Sequence, residues 1–324
     1  MIDIHLPDPE RELAVRVELA PGAATAGLPA LRTVLAENSE LLERHLLRHG
    51  AVLFRGFGID RDEIFDELVQ SLPGRRMDYV DGNSPRRKLK AGLYTSTEYP
   101  PEYFISMHNE LSYSPRWPAR LAFCCVTAPP EGGETPLADS RRILAGLDAA
   151  IVEQFTARGV EYVRNLHGGV GMGPSWQATF ETEDRAVVED FCRASGVDFR
   201  WRDDRSLSLT HVRPGVAVHP KTGETVWFNQ ADQFHPSTHP KPIFDSMMRL
   251  YQGREDRLPQ HCRFGDGTPI PLEMLESVRT MTGEQIRTFS WQSGDVLLVD
   301  NMLACHGRMP FRGQRKILVS MMDL

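Results

Sequence analysis

Two segments that lie far apart in the chain contain side chains that could bind one metal ion together. The first contains His108 and Glu110, and the second contains His306. Two imidazoles and one carboxylate are the ligand set of mononuclear non-haem Fe(II) oxygenases, in which the other metal positions stay open for chemistry. If the two segments converge in the folded chain, the sequence predicts an oxidation enzyme rather than a passive binding module.

The spacing of His108 and Glu110 is what makes this pair informative. His108 and Glu110 are two residues apart within 104–112, which reads as a strand. Because side chains alternate along a strand, we expect both to point to the same face. A chain with 11 His and 44 acidic residues contains about 1.5 His-x-acid pairs by chance, so the pair alone is weak evidence. The alternative is a His and a Glu that only hydrogen-bond to each other.

The second segment adds positive charge beside the third histidine. His306 follows the apolar run 296–300, and we expect it at a transition from strand to loop. Three arginines come soon after it, namely Arg308, Arg312 and Arg315. A guanidinium near a metal can bind a carboxylate through two parallel hydrogen bonds. For each arginine taken singly, the alternative is a solvated turn.

Composition restricts the class of protein. The 324 residues have 41% hydrophobic and 25% charged residues, which is ordinary for a globular protein and enough for one large domain or two smaller ones. The net charge of −7, without a basic stripe, argues against nucleic acid or an anionic membrane as partner. No apolar stretch has membrane-spanning length, and no secretory signal is evident. Five cysteines without a CxxC pair predict reduced thiols in a cytoplasm and no structural zinc.

Local patterns predict a few helices and many short strands. The predicted helices cover 38–50, 61–72, 139–158 (two helices) and 185–195. The predicted strands cover 51–57, 104–112, 120–126, 160–165, 225–229, 287–291, 296–301 and 316–322. The polar stretch 73–101 reads as a loop. The pattern predicts a mainly β protein with helical additions (α+β), built as an antiparallel barrel or sandwich in one domain.

Six motifs, in this order and spacing, resemble the TauD/TfdA family. They are His108-Asn109-Glu110, the segment from Gly132-Gly133-Glu134-Thr135 to Asp139, Trp227-Phe228-Asn229-Gln230, Asp300-Asn301-Met302, the segment from His306-Gly307-Arg308 to Phe311, and Arg315. The resemblance implies a double-stranded β-helix (jelly-roll) core in a single dioxygenase domain over 1–324. Residues 1–95 would then be a helix and strand extension, and 96–324 the core with an insertion around 139–225.

The resemblance also implies a site. His108, Glu110 and His306 match the Fe(II) ligands of the family. Arg315 and Thr135 match the residues that bind the distal carboxylate of the co-substrate 2-oxoglutarate, with O2 as the second co-substrate. The interval between His306 and Arg315 is shorter than in the taurine enzymes. Arg308 and Arg312 therefore stay open as alternatives for the arginine.

Glu110 stands where many family members have Asp, which narrows the expected reaction. A Glu there resembles the amino-acid hydroxylases, such as the clavaminate-synthase-like enzymes and the syringomycin-type aspartyl hydroxylase. This implies hydroxylation of an unactivated C–H in an amino acid or similar small molecule, free or bound to a carrier protein, with 2-oxoglutarate converted to succinate and CO2. Related halogenases have a small residue here, so Glu110 disfavours halogenation. Desaturation, cyclisation or epoxidation, a silent carboxylate-binding jelly-roll and a cupin-like isomerase or hydrolase are the alternatives.

Substrate-contacting residues are the least defined part of the prediction. The glycine-rich segment 165–180, which contains Trp176, could be a lid that excludes water, or a plain surface loop. Phe228 and Asn109 are candidates for the pocket wall, and Phe228 is equally compatible with the core.

Overall fold

The computed structural model describes residues 2–20 and 26–323, which form a mixed structure of helices and many strands. The helices are α1 (Leu28–Glu37), α2 (Ser39–His49), α3 (Asp62–Gln70), α4 (Ser140–Gly146), α5 (Ala149–Arg158), α6 (Trp176–Phe180), α7 (Arg185–Ser195), α8 (Ala231–Phe234), α9 (Lys241–Leu250) and α10 (Leu272–Glu284), with short 3-10 helices at Pro236–Thr238 and Glu255–Arg257.

Short strands account for most of the remaining regular structure. They are β1 (Ile2–His5), β2 (Val15–Leu19), β3 (Ala51–Arg55), β4 (Arg75–Met77), β5 (Lys88–Lys90), β6 (Leu93–Thr95), β7 (Ile105–His108), β8 (Arg120–Thr127), β9 (Glu131–Gly132), β10 (Leu137–Asp139), β11 (Val160–Leu166), β12 (Asp198–Trp201), β13 (Leu207–Arg213), β14 (Val216–Val218), β15 (Thr225–Trp227), β16 (Gln260–Phe264), β17 (Val296–Asp300), β18 (Ala304–Arg308), β19 (Phe311–Arg312) and β20 (Lys316–Asp323).

One large sheet runs through the molecule and joins both ends of the chain. Its order is β1-β2-β3-β17-β8-β20-β6-β5, and β4 also pairs with β20. The pairing is antiparallel except between β2 and β3, which run parallel. The centre of the sheet reads as unbroken apolar runs, as in Val296-Leu297-Leu298-Val299 of β17. Strands of this kind are buried on both faces.

The two faces of this sheet belong to two different cores. Along β8, Phe123 and Cys125 belong to the larger core cluster, while Ala122 and Cys124 belong to the cluster that includes residues of α1, α2 and α3. This alternation follows from the side-chain period of two in a strand. The helices therefore cover one face of the sheet, and the opposite face is available for a site.

Two smaller sheets complete the region around the site. A three-stranded sheet has the order β10-β18-β7, and a four-stranded sheet has the order β12-β13-β11-β16. His306 of β18 contacts Phe123 of the large sheet, with ring centroids 5.2 Å apart. The three-stranded sheet therefore faces the large sheet on the side opposite to the helices α1–α3.

Several sequence predictions agree with the structure. The helix predicted at 185–195 is α7, and those predicted at 38–50 and 61–72 correspond to α2 and α3. The helix pair predicted within 139–158 corresponds to α4 and α5. Most of the predicted strands are also present.

Three local predictions are wrong. The stretch 73–101 is not only loop, because β4, β5 and β6 lie in it and pair with β20 or with each other. Each of these strands has only three residues, which is too short for a clear alternation pattern, and β4 and β6 pair with the distant strand β20. Residues 287–291 form no strand and contribute only an isolated bridge between Leu137 and Arg287. His306 lies inside β18 rather than at a transition to a loop.

No helix in the described part of the chain is long and apolar enough to cross a bilayer.

Candidate metal centre and co-substrate cavity

The two histidines are cross-strand neighbours. His108, at the end of β7, is the register partner of His306 in the antiparallel pair with β18. Their ring centroids are 4.4 Å apart, and both side chains are buried. Gly307 permits the close approach of the strands, because a Cβ at that position would lie 2.5 Å from the Ile105 carbonyl oxygen. Strand pairing therefore explains how residues so distant in sequence come together.

Glu110 reaches the histidines by a different route from the one predicted. β7 ends at His108, and Glu110 lies in the turn that follows. The Asn301 side chain holds this turn: its Oδ1 accepts from the Glu110 backbone N–H (2.7 Å), and its Nδ2 donates to the Glu110 carbonyl oxygen (2.9 Å). Gln230 Nε2 also donates to the Asn109 carbonyl oxygen (2.6 Å). The alternation argument for Glu110 is therefore wrong, although the convergence that it predicted is present.

The three side chains fit a divalent metal of the transition series. Their ligand atoms lie within 4.8 Å of one another, with Glu110 Oε2 4.0 Å from His108 Nε2 and 3.9 Å from His306 Nε2. His108 Nδ1 lies 2.8 Å from the Ser106 carbonyl oxygen, so it carries the proton and leaves Nε2 as a free lone pair. Burial lowers the pKa of both histidines, so both imidazoles are neutral ligands.

A cavity opens beside these three residues. It is lined by two groups of side chains that are distant in sequence, namely Arg86, Ser96, Thr97, Ile105, His108, Phe123, Thr135, His306, Gly307, Arg308, Arg315 and Ile317. The lining combines apolar walls from the large sheet with hydroxyl and guanidinium groups. Such a lining suits a small molecule that has an apolar body and charged ends.

Arg315 is a partly buried cation whose hydrogen bonds go to neutral groups. Its Nε donates to the Gly133 carbonyl oxygen (2.9 Å), and its Nη1 donates to Ser96 Oγ (3.1 Å). Burial, and then the charge of Arg308, lower the pKa of Arg315 to about 10. At neutral pH it is still protonated, and an incoming carboxylate would relieve the cost of burying its charge.

Thr135 and Ser96 add hydroxyl groups to the same part of the cavity. Thr135 Oγ1 accepts from Trp291 Nε1 (3.1 Å), and Ser96 Oγ accepts from Arg315. A hydroxyl that accepts in this way keeps its own proton available for another acceptor. Ser96 was not predicted as a site residue, because it lies in the stretch that the sequence presents as a loop.

The two alternative arginines are engaged elsewhere. Arg308 donates to four backbone carbonyl oxygens, those of Thr97, Tyr99, Pro100 and Tyr103. It therefore holds the segment 97–103 against β18. Arg312 is 83% exposed in its side chain and lies 3.6 Å from Glu131. Arg308 lines the cavity, but both of its terminal nitrogens donate to these carbonyl oxygens, and Arg312 faces solvent.

Arg86 is a member of the site that the sequence did not indicate. Its side chain is 3% exposed, and its Nη2 contacts Glu110 Oε2. Its guanidinium carbon lies 4.5 Å from the centre of the Tyr79 ring. Burial acts against the charge, but Glu110 raises the pKa of Arg86, which therefore stays protonated. The residue lies in a polar stretch with several arginines, and nothing local distinguishes it from its neighbours.

The predicted substrate residues lie outside the cavity wall. Trp176 packs in a core cluster with Trp201, at a ring distance of 5.1 Å. Phe228 packs edge-on against Trp117 at 5.4 Å. Asn109 is a buried structural residue whose Nδ2 donates to the Asn301 carbonyl oxygen (2.7 Å). Burial of apolar and amide groups in separate clusters, rather than a pocket, accounts for all three.

Comparison with known proteins places the chain in a family. A family model described as taurine catabolism dioxygenase TauD, TfdA family matches residues 16–322. The dapdiamide synthesis protein DdaC of Enterobacter agglomerans is 36% identical over 310 residues, which cover 94% of this chain and 93% of the relative. A clavaminate synthase-like protein of Arabidopsis thaliana is 28% identical over 319 residues, covering 94% and 92%.

Solved structures agree with the fold. PvcB of Pseudomonas aeruginosa has a TM-score of 0.58 at 16% identity and covers 100% of this chain and 92% of its own. AAD-2, solved with Mn(II) and N-oxalylglycine, has a TM-score of 0.57 at 13% identity, covering 99% and 97%. The family match and the His-Glu-His cluster together define the class of the protein. The chain belongs to the TauD/TfdA family and is an Fe(II)- and 2-oxoglutarate-dependent dioxygenase, an oxidoreductase that uses O2.

Proposed function

We propose that this enzyme hydroxylates an unactivated C–H bond of an amino acid or a similar small molecule. The observation that carries the proposal is the convergence of His108, Glu110 and His306 within 4.8 Å, beside a cavity that also exposes Arg315. Three ligands on one side and a cation on the other suit a metal and a co-substrate that carries a distant carboxylate.

The iron ligands in this proposal are His108, Glu110 and His306. The bound iron supplies, with 2-oxoglutarate and O2, the oxidation of a C–H bond while 2-oxoglutarate becomes succinate and CO2. The protein contributes orientation. The contact from His108 Nδ1 to the Ser106 carbonyl oxygen fixes one imidazole, and Asn301 fixes the turn that holds Glu110.

The co-substrate clamp in this proposal consists of Arg315 and Thr135. The hydrogen bonds of Arg315 to Gly133 and Ser96 hold the guanidinium in one orientation, and that of Trp291 to Thr135 orients the hydroxyl oxygen. Orientation before binding lowers the entropy that the carboxylate must overcome. Phe123 and Ile317 line the same cavity and keep water from its apolar wall.

The substrate class rests on sequence relatives and on Glu110. The 36% identity to a protein of dapdiamide synthesis supports an amino-acid-like substrate in specialised metabolism. Glu110 occupies the place at the metal that a halide would need, which favours oxygenation over halogenation. Desaturation, cyclisation and epoxidation use the same iron and co-substrate, and tethering to a carrier protein is compatible with the same site.

The architecture is proposed in the same way. We infer that the large sheet and the three-stranded sheet form a double-stranded β-helix core around the cavity. The contact between His306 and Phe123 across the two sheets supports this arrangement. Strands β1–β6 pair in the same sheet as β8, β17 and β20, which supports a single domain rather than a separable extension at 1–95.

The experiment that tests the assignment needs no substrate. Under anaerobic conditions, Fe(II) and then 2-oxoglutarate are added to the wild type and to His306→Ala, and the visible charge-transfer band is recorded. We expect a band in the wild type that is lost in the variant. Bound iron without a band in the wild type would overturn the co-substrate role, and a band in His306→Ala would overturn the ligand assignment.

A further inference from the structure

Arg86 has hydrogen-bonding capacity that the site described so far does not use. The side chain is 3% exposed, and its Nη2 donates to Glu110 Oε2. Its Nε and Nη1 are buried and have no hydrogen-bond acceptor among residues 2–20 and 26–323. A buried N–H group without an acceptor is costly, and native structures usually complete it with water, an ion or a ligand; Arg86 has two such nitrogens on one guanidinium.

The fold holds Arg86 at this place through the segment 79–86. Asp81 forms a buried ion pair with Arg164, and Tyr113 Oη donates to the Asp81 carbonyl oxygen (2.7 Å). Asn83 Nδ2 donates to Gln260 Oε1 (2.6 Å). Asp81 also has a φ of 68°, in the left-handed region that non-glycine residues seldom adopt. Strain of this kind persists only where surrounding contacts impose it, often at functional sites.

Metal binding at Glu110 would leave the positive charge of Arg86 only partly compensated. A carboxylate that binds a divalent metal shares its negative charge with that metal. Glu110 would therefore neutralise Arg86 less completely when it is a metal ligand. Arg86 lines the same cavity as both histidines, so its unpartnered groups lie beside the place where oxidation would occur.

We propose that Arg86 binds a carboxylate group of the substrate, next to the metal, through the N–H groups that lack an acceptor. This inference rests on the proposed function and deepens it, since it states which chemical group the substrate must carry. Tyr79, beneath the guanidinium, orients it for this contact. The co-substrate has its own cation in Arg315, which donates to Ser96 and Gly133 in another part of the cavity wall.

The test compares wild type, Arg86→Gln, Arg86→Lys and the control Arg75→Gln, whose arginine side chain is 84% exposed on β4. In the first arm, the anaerobic band is titrated with 2-oxoglutarate in each protein. We expect Arg86→Gln to keep the band, with a half-saturating concentration within about threefold of wild type, because a substrate-binding residue leaves the Arg315 clamp intact.

In the second arm, succinate formation is measured with the proteinogenic L-amino acids and with their carboxamides as probes. We expect at least one amino acid to stimulate the wild type, while its carboxamide does not. For that amino acid, kcat/KM should fall by about 100-fold in Arg86→Gln, mainly through KM, and recover in part in Arg86→Lys. Arg75→Gln should behave as the wild type.

Each contrary result overturns the inference in a recognisable way. Equal stimulation by carboxamides, full stimulation of Arg86→Gln, or no stimulation by any amino acid would exclude a substrate carboxylate at Arg86. Loss of the band in Arg86→Gln would mean that Arg86 holds Glu110 in place for the metal. A raised 2-oxoglutarate requirement would mean that Arg86 binds the co-substrate. A wild type without a band would instead show that the proposed function itself has failed.

Discussion

Two buried arginines in this molecule face carboxylates in similar settings but have different contacts. Arg164 pairs with Asp81 and lies 5.2 Å from the centre of the Tyr113 ring, while Arg86 pairs with Glu110. Arg164 also donates to the carbonyl oxygens of Asp81 (3.1 Å) and Gly82 (3.0 Å), which leaves only its Nε without a partner. Within the described part of the chain, Arg86 has a single hydrogen-bond acceptor, Glu110 Oε2, and its Nε and Nη1 have none.

The difference separates a structural cation from one that is available to a ligand. The protein itself supplies most of the acceptors for Arg164, so this residue has little left to offer and serves to fix the segment 79–86. Arg86 lies at the end of that segment and faces the cavity. Arg308 and Arg315 repeat the contrast among the described residues, because both terminal nitrogens of Arg308 donate to backbone carbonyl oxygens and only its Nε has no acceptor, whereas Arg315 lacks a carboxylate partner.

The sharpest test of the structural role is Arg164→Met. We expect the free energy of unfolding to fall by about 3–5 kcal/mol, because the change leaves the Asp81 carboxylate buried without its cation. Denaturant unfolding measures the change, with Arg193→Met as control, since Arg193 is 58% exposed. A loss below about 1 kcal/mol would remove the contrast between the two arginines.

Glu110→Gln tests the other carboxylate. We expect Fe(II) affinity to fall by more than about 100-fold, because a neutral amide is a poor ligand and changes to residues that only support a ligand already cost about 10–100-fold. Fe(II) titration under anaerobic conditions measures it, with the exposed Glu153→Gln on α5 as control. Affinity close to wild type in Glu110→Gln would mean that the carboxylate serves Arg86 and not the metal.

Arg315→Ala and Arg308→Ala should differ in their need for 2-oxoglutarate. We expect the concentration that gives half of the charge-transfer band to rise by about 10–100-fold in Arg315→Ala, through the loss of charge-assisted hydrogen bonds. Arg308→Ala should change it far less and should loosen the segment 97–103, as seen by faster proteolysis there. The reverse order of effects would exchange the roles of the two arginines.

Ser96→Ala should have the smallest effect on the same measurement. The change removes the acceptor of Arg315 Nη1 and one hydroxyl donor, which is worth about 1 kcal/mol, or about fivefold in 2-oxoglutarate requirement. Ser96→Thr keeps the hydroxyl and serves as the matched comparison. An unchanged requirement in Ser96→Ala would show that Arg315 needs no help from this hydroxyl.

The four adjacent strands at the centre of the large sheet, β3, β17, β8 and β20, were readable from local patterns. The runs that became β8, β17 and β20 are short, largely apolar and bounded by turn residues, which is typical of buried strands. Helix α7 has apolar residues at helical spacing and an Asp184 cap, whose side chain accepts from the Ala186 N–H. In both cases the information lies within a few consecutive residues.

The site was readable only in part. His108, Glu110 and His306 are chemically distinctive, so their residue types and order in the chain pointed to a metal before any contact was known. The prediction that Glu110 lies on the same strand as His108 was nevertheless wrong. The side chains of Asn301 and Gln230 hold Glu110 in a turn that the local sequence pattern does not indicate. The strand expected over 104–112 ends at His108, so the side-chain alternation of a strand does not set the direction of Glu110.

The sequence by itself therefore determined the chemistry of the metal ligands and the strands and helices whose patterns are strong and local. The tertiary structure alone decided that Arg86 and Ser96 belong to the cavity, and that Trp176 and Phe228 belong to the core. The physical reason is that a ligand set is specified by residue type. Whether an arginine has free N–H groups depends instead on acceptors from distant segments. Backbone carbonyl oxygens accept from Arg164, whereas no described residue offers an acceptor to Nε and Nη1 of Arg86.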